Sequence, residues 1–351
     1  MRLARVLAVL EPGGAQLGVL RLTRALAARG ISSRVLAGEA TAAGRALFAA
    51  EGVAVEVWGG EHGLQYACSP GFAAWLAPRL GEADLVHAHM FGGWWAAAGA
   101  APPEMPLVAS EHNAMRWPGR ARTAAYSRAL RRVDGFLAHG PAAAELASGL
   151  GLPAARLHVG TSPVEDVARA RPRAPGRVVF AGRLHHEKGA DVLIEALAHL
   201  SDPPPAAIVG SGPEEEALRT LVAERGLSER VAFPGWQDRV APWLAEATAC
   251  VVPSRHEAWS QTAVLALALG VPVIASDVEG LPTTLADGRG VLVAPEDPAA
   301  LATALARVLA GDHPSPAPGR VYAGRFTTDR IAAAHARLYA ELLAARLPAA
   351  A

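Results

Sequence analysis

The strongest constraint on the fold is an alternation that runs, stops and starts again. Short β-rich apolar runs at 5–10, 33–36, 53–57, 84–88, 107–110 and 135–138 are separated by helical stretches. The first of these stretches, 14–29, places Leu17, Leu20, Leu22 and Leu26 at near-helical spacing and ends at Gly30. A polar, proline-punctuated stretch at 168–176 interrupts the pattern, which then resumes. The spacing predicts strands at 177–181, 206–209, 231–233, 249–253 and 271–275, and helices at 188–199, 214–225, 261–269 and 298–310. Strand–helix alternation of this kind predicts parallel sheets covered by helices on both faces. The chain is therefore α/β, with two Rossmann-like, doubly wound domains. They are expected at 1–168 and 177–325, joined by a linker at 169–176. A proline-rich loose stretch at 311–319 precedes a last helix at 327–345, within a terminal segment 326–351. Open α/β sheets bind ligands beyond the carboxyl ends of their strands. Two such edges facing one another would form a cleft.

Composition narrows the function. The 351 residues carry 33 Lys+Arg and 33 Asp+Glu, a balance that argues against broad nucleic-acid binding. With 51% hydrophobic and 19% charged residues the chain is not disordered. Lysine occurs once, at Lys188, and asparagine once, at Asn113. Such usage resembles GC-rich codon bias and makes the surviving lysine worth locating. Cys68 and Cys250 lie in no metal or redox spacing and are expected in the core of a reduced protein. The apolar stretch 258–275 is broken by Ser260, Gln261, Gly270 and Pro272, so it reads as buried helix, turn and strand. No signal peptide is evident, and a soluble cytoplasmic protein is expected. Arg116, Arg120, Arg122, Arg128, Arg131 and Arg132 occur with no acid from 115 to 132. Two readings stay open for them, a solvated helix face and contact with an anionic membrane surface.

Four strand-to-helix junctions could carry chemistry. Glu11-Pro12-Gly13-Gly14 gives a backbone that a ligand can approach closely, followed by a helix N-terminus that favours anions. There is no GxGxxG and no GxxxxGK[ST], which removes the nicotinamide and P-loop readings. At 180–189, Phe-Ala-Gly-Arg-Leu-His-His-Glu-Lys-Gly sets Arg183 and Lys188 beyond a strand end, behind Gly182. A planar fork and a point charge there suit a diphosphate. The run 208–213 is a glycine turn through Gly210 and Gly212. In 252–262, Glu257 could bond sugar hydroxyls, and the N–H groups of Trp259, Ser260 and Gln261 could hold a phosphate. The histidines show no metal-ligand spacing; His87 and His89 alternate along a strand and so share a face. Trp94 and Trp95 suit either the core or an acceptor pocket.

Taken in order, the GRLxxEKG-like run, the GSGP turn, the PSRHE run and 270–277 (Gly-Val-Pro-Val-Ile-Ala-Ser-Asp) resemble the GT-B glycosyltransferases of the retaining family 4. The resemblance covers nearly the whole chain. It implies a nucleoside-diphosphate-sugar donor, most often a UDP-sugar, held by the second domain, with acceptor selection in the first. Arg183 and Lys188 match the family's diphosphate pair, and Gly14 the loop near donor phosphate and acceptor. His112 matches the histidine that contacts the donor sugar, and Glu257 the first of the family's paired glutamates. The loop around Trp236 matches the nucleobase region. The last helix would return to the first domain. The expected mechanism retains anomeric configuration without a protein nucleophile, a cofactor or a metal.

The chain also departs from the family. Leu265 stands where the second glutamate, a ribose ligand, belongs; Thr283 replaces a frequent glutamate; and 158–163 replaces an Asn-Gly turn. The acceptor is expected to be a small polar molecule such as a cyclitol. A lipid-linked or envelope acceptor is the alternative, and a non-catalytic partner subunit is the reading that Leu265 motivates. An epimerase or phosphorylase on the same architecture is a further contender.

Overall fold

The computed structural model describes residues 1–112, 120–167 and 177–346. The chain divides into two compact units, Met1–Pro163 with Thr328–Ala351, and Val164–Thr327.

The first unit is built on β1 (Arg2–Leu10), α1 (Gly14–Ala27), β2 (Ser32–Ala40), α2 (Ala42–Ala50), β3 (Val55–Val57), α3 (Pro70–Leu80), β4 (Leu85–His89), α4 (Phe91–Ala100), β5 (Leu107–Glu111), α5 (Arg120–Leu130), β6 (Gly135–Ala138), α6 (Pro141–Gly149) and β7 (Leu157–Val159). Among the described residues its strands form a seven-stranded sheet in the order β3-β2-β1-β4-β5-β6-β7, and all the pairings are parallel. Central β1 is buried from Leu3 to Leu10, because helices cover both faces. The two faces differ. On one, Trp94 packs edge-on against Tyr126 and Phe136, at ring-centroid distances of 4.7 and 5.9 Å, and Phe91 lies against both Trp94 and Tyr126. The other face carries Arg5, which is in register with His87 on the neighbouring strand.

The second unit contains β8 (Arg177–Ala181), α7 (Ala190–Ala198), β9 (Ala206–Val209), α8 (Glu215–Glu224), β10 (Val231–Gly235), α9 (Ala241–Ala245), β11 (Ala247–Val252), α10 (Gln261–Leu269), β12 (Val273–Ser276), α11 (Leu281–Leu285), β13 (Val291–Val293), α12 (Pro298–Leu309) and α13 (Pro316–Ala323). Its described strands run β10-β9-β8-β11-β12-β13, again parallel. Leu193, Ile194 and Leu197 of α7 and Leu301 and Leu305 of α12 close one core over Phe180, Ile208, Val251 and Ile274. The helix α14 (Thr328–Ala344) packs on α1 in the first unit. Arg346 ties the chain beyond it to Asp134 at 2.6 Å.

Several expectations need correction. The first unit ends at Pro163, not 168. The Val164 amide donates to the Phe326 carbonyl, and the Glu165 carboxylate accepts from Arg239, Val240 and Ala241, so these residues are anchored in the second unit. The linker 169–176 lies outside the described residues. The stretch 311–319 is not loose throughout, because Ser315 caps α13 there. Cys68 is exposed; only Cys250 is in the core. The three-residue strands β7 and β13 are not among those expected from the sequence.

Candidate active site

In both sheets the strand order reverses between two central strands, β1 and β4 in the first and β8 and β11 in the second. Crevices at such switch points are where parallel α/β folds hold ligands.

In the second unit the loops after β8 and β11 are locked together by backbone contacts. Gly189 has φ +66°, and a Cβ there would lie 2.0 Å from the Pro253 carbonyl oxygen, so no larger residue lets the loops approach. The amides of Arg255 and His256 both donate to the Glu187 carbonyl. This brings Lys188 Nζ to 2.7 Å from Glu257 Oε2, with both side chains largely buried. Ser254 Oγ also donates to that oxygen, at 3.4 Å. Glu279 supports the pair from the β12–α11 loop. Its carboxylate accepts from the Glu257 amide at 2.9 Å and meets His256 Nδ1 at 3.1 Å. Glu279 adopts φ +46°, a left-handed conformation that non-glycine residues rarely hold, and such strain clusters at functional sites. Arg255 braces the loop through a two-pronged bond to Asp191, at 2.9 and 2.7 Å, and a contact with Glu296 at 2.8 Å. This pairing holds the Asp191 carboxyl below its ordinary range despite burial and raises Arg255.

The remaining sequence candidates in this unit lie on the loops and helix ends that follow its strands. Arg183 is partly buried on the same loop as Lys188, behind Gly182. Gly212 serves internal packing, since a Cβ there would lie 2.2 Å from the Leu184 carbonyl oxygen. The Ser260 hydroxyl is already used as the N-cap of α10, accepting from the Ala263 amide at 3.2 Å. The Trp259 ring packs on Phe326 at 5.3 Å. Gln261 opens α10. Trp236 follows β10, and its indole N–H donates to Asp238 at 2.9 Å. Leu265 is buried in α10, so no acid is offered at that position.

In the first unit, Gly13 is the N-cap of α1 and Gly14 its first residue, directly beyond β1. Gly13 is in extended backbone, and a Cβ there would meet only the tip of Gln16. His112 follows β5 and joins a group of rings. Its Nε2 lies 3.2 Å from His89 Nδ1, and its ring is 4.0 Å from that of His139. His89 Nε2 is 3.0 Å from Arg5 Nη1, and His87 Nδ1 is 2.6 Å from the Tyr339 hydroxyl. His335 lies over His87 at 5.7 Å. Burial holds the His112 imidazole down at about 4, with the charge of nearby His335 adding to it. Burial does the same to His335, also about 4, and to His87, His89 and His139, so these rings are neutral at pH 7.

Period-2 reading placed His87 and His89 on one face but gave no sign of Arg5, His139, His335 or Tyr339. Those meet only through the sheet register and the return of α14. Glu279 was missed for a similar reason, because its role depends on a loop conformation. Trp94 is core, donating its indole N–H to Glu111 at 3.1 Å. Of the arginine stretch, Arg116 lies outside the described residues, as does the side chain of Arg120. Arg122, Arg128 and Arg131 are exposed, whereas Arg132 turns inward to the Pro102 and Met105 carbonyls. Among the described residues no group of three or more His, Cys, Asp or Glu is arranged to hold a metal ion. No described helix is long and apolar enough to cross a membrane.

Two parallel-sheet units, each with a switch point between its central strands, give the chain the architecture of the GT-B class of glycosyltransferases. The chain belongs to glycosyltransferase family 4, also called glycosyl transferases group 1. The family 4 profile matches residues 12–165 and the group 1 profile residues 175–311. A D-inositol 3-phosphate glycosyltransferase of Streptomyces bingchenggensis is 33% identical over 321 residues, 77% of this chain and 69% of the relative. One of Jonesia denitrificans is 30% identical across 92% of this chain and 89% of the relative. Among solved structures, Anabaena Alr3699/HepE in complex with UDP and glucose has a TM-score of 0.83 at 21% identity, covering 97% of this chain and 99% of that one. Sucrose-phosphate synthase from Thermosynechococcus elongatus has a TM-score of 0.80 at 22% identity, covering 98% and 100%. At these identities the structural likeness speaks for the fold.

Proposed function

We propose that the protein transfers a sugar, with retention, from a nucleoside-diphosphate sugar to a hydroxyl of a small polar acceptor of the cyclitol class. The observation that carries this reading is the Lys188–Glu257 pair at the switch point of the second sheet. An ammonium has three N–H donors and Glu257 takes one, so two remain for diphosphate oxygens. The opposite carboxylate oxygen of Glu257 stays available to sugar hydroxyls. Bond cleavage builds charge on the departing diphosphate. Lys188 and Arg183 stabilise that charge where water is scarce, and no metal is required. Attack on the same face, with the leaving phosphate taking the acceptor's proton, leaves the protein no nucleophilic role.

UDP is the favoured nucleotide because the HepE structure holds UDP and glucose. An inositol phosphate is the favoured acceptor because the relatives at 30–33% identity are named for it. The test incubates purified protein with UDP-, GDP-, ADP- and TDP-sugars, each with and without D-inositol 3-phosphate or free inositol, in the presence of EDTA. Acceptor-dependent release of one nucleoside diphosphate, with an anomeric proton of unchanged configuration, is expected. Release that needs added metal, an inverted product, or no donor binding by any nucleotide rejects the corresponding part of the reading.

A further inference from the structure

Arg5 is an expensive residue where it sits. It is wholly buried in the middle of β1, and among the described residues its Nε and Nη2 have no hydrogen-bond partner and no carboxylate pairs with it. An apolar side chain of similar length would avoid this desolvation cost. What Arg5 does make is a directional contact, from Nη1 to His89 Nε2 at 3.0 Å.

That contact has one possible polarity. A guanidinium only donates, so His89 Nε2 must be the accepting nitrogen. A neutral His89 then carries its proton on Nδ1. That atom faces His112 Nε2 at 3.2 Å, and His89 donates there. His112 Nε2 is left as the acceptor, and the His112 proton must sit on Nδ1. A parallel branch fixes His87. Its Nδ1 is approached by the Tyr339 hydroxyl at 2.6 Å and by Arg5 Nη1 at 3.5 Å, so its Nε2–H donates to Ser110 Oγ at 2.8 Å. The His139 ring, 4.0 Å from that of His112, holds the imidazole plane.

We propose that Arg5 is a positioning residue which, through His89, locks His112 in the Nδ1–H tautomer, so that His112 presents a hydrogen-bond donor to a hydroxyl of the bound sugar. The ring cannot switch to an acceptor without reversing the His89 bond against the fixed donor at Arg5. The donor role of His112 rests on the function proposed above; the tautomer does not.

The experiment reads the tautomer directly. Protein labelled with 15N-histidine is studied by long-range 1H–15N correlation, without donor or acceptor, and the His112 signals are assigned by their loss in His112→Gln. The wild-type ring is expected to be Nδ1–H. His89→Gln keeps one acceptor and one donor in line and should preserve that state. Arg5→Met and His89→Leu should shift His112 toward Nε2–H. A wild-type His112 found as Nε2–H, or an unchanged Nδ1–H ring in folded Arg5→Met and His89→Leu, overturns the proposal. If Arg5→Met does not fold, the His89→Gln and His89→Leu pair decides the question. In turnover, His89→Leu should lose about 10-fold in kcat with His89→Gln near wild type, as for one hydrogen bond made in the transition state. Equal losses in the two variants would reduce His89 to packing. A locked tautomer in a protein that transfers no sugar would reject the function and keep the relay.

Discussion

The two units place a cation beside the switch point of a parallel sheet and treat it in opposite ways. Lys188 has a carboxylate at 2.7 Å and retains some access to solvent. Arg5 has no carboxylate partner among the described residues and no exposure to solvent, and it leans on neutral rings. A paired, partly open ammonium can exchange partners, which suits a group that must take up and release a charged ligand. A sealed guanidinium cannot exchange anything; it can only impose polarity on what it touches. On the proposed reading one cation binds and the other orients.

The largest consequence is acid lability confined to the first unit. Arg5 on β1, His87 and His89 on β4, His112 after β5, His139 after β6 and His335 with Tyr339 on α14 face one another, while Glu111 is engaged by Trp94. Each ring has a folded-state pKa below its ordinary value of 6.5. The unfolded chain therefore takes up protons that the folded one refuses. The stability is intact above pH 6.5 and is lost as pH falls from there toward about 4. His335 alone costs about 2 kcal/mol at pH 5, and the other rings add to it. A fall in Tm on the order of 10 °C between pH 7.5 and pH 5 is expected by calorimetry, and His335→Gln should blunt it. A flat profile over that range would mean that the rings are hydrated.

Next in size is the open cation. Lys188→Ala should lower turnover about 10²–10³-fold in a nucleoside-diphosphate release assay, the usual cost of removing one donor to a developing charge. Stability should change far less. Arg183→Ala should behave alike, and near-normal turnover in both would end the diphosphate assignment.

These two effects also separate what was legible in the sequence from what was not. The doubly wound pattern was readable because central strands contain short apolar runs, 6–10 in β1 and 178–181 in β8, that alternate along the chain with helical stretches. Lys188 and Glu257 were readable because each follows a strand end, where ligands bind whatever the details of packing. The Arg5 group was not. Arg5 looks like a polar interruption at the start of a strand, and its partners are 82, 84 and 334 residues away. Only the β1–β4 register and the return of α14 bring them together. The Lys188–Glu257 contact itself depends on Gly189 lying against Pro253, which no local pattern encodes.

Glu279 sharpens the comparison on the binding side. It orients Glu257 through the backbone, holding a carboxylate in place much as Arg5 holds a ring. Glu279→Gln keeps one carbonyl oxygen and loses the second charged acceptor. A charge-assisted bond of this kind contributes about 1.5–3 kcal/mol, so the donor KM should rise about 10-fold or more with kcat nearly unchanged. An unaltered KM would show that Lys188 and Ser254 suffice to hold Glu257.

The smallest effect tests whether the phosphate side of the second unit uses a side chain at all. The Ser260 hydroxyl is the N-cap of α10 and is buried, so it is committed to the Ala263 amide and not to a ligand. Ser260→Ala should cost about 1 kcal/mol of stability, as other caps do, and Ser260→Thr should recover most of it. Donor affinity should stay the same in both variants when measured well below the melting transition. A drop in affinity for Ser260→Ala that exceeds its loss of stability would mean that the hydroxyl turns from the helix to the phosphate when donor binds. The second unit would then rearrange on binding.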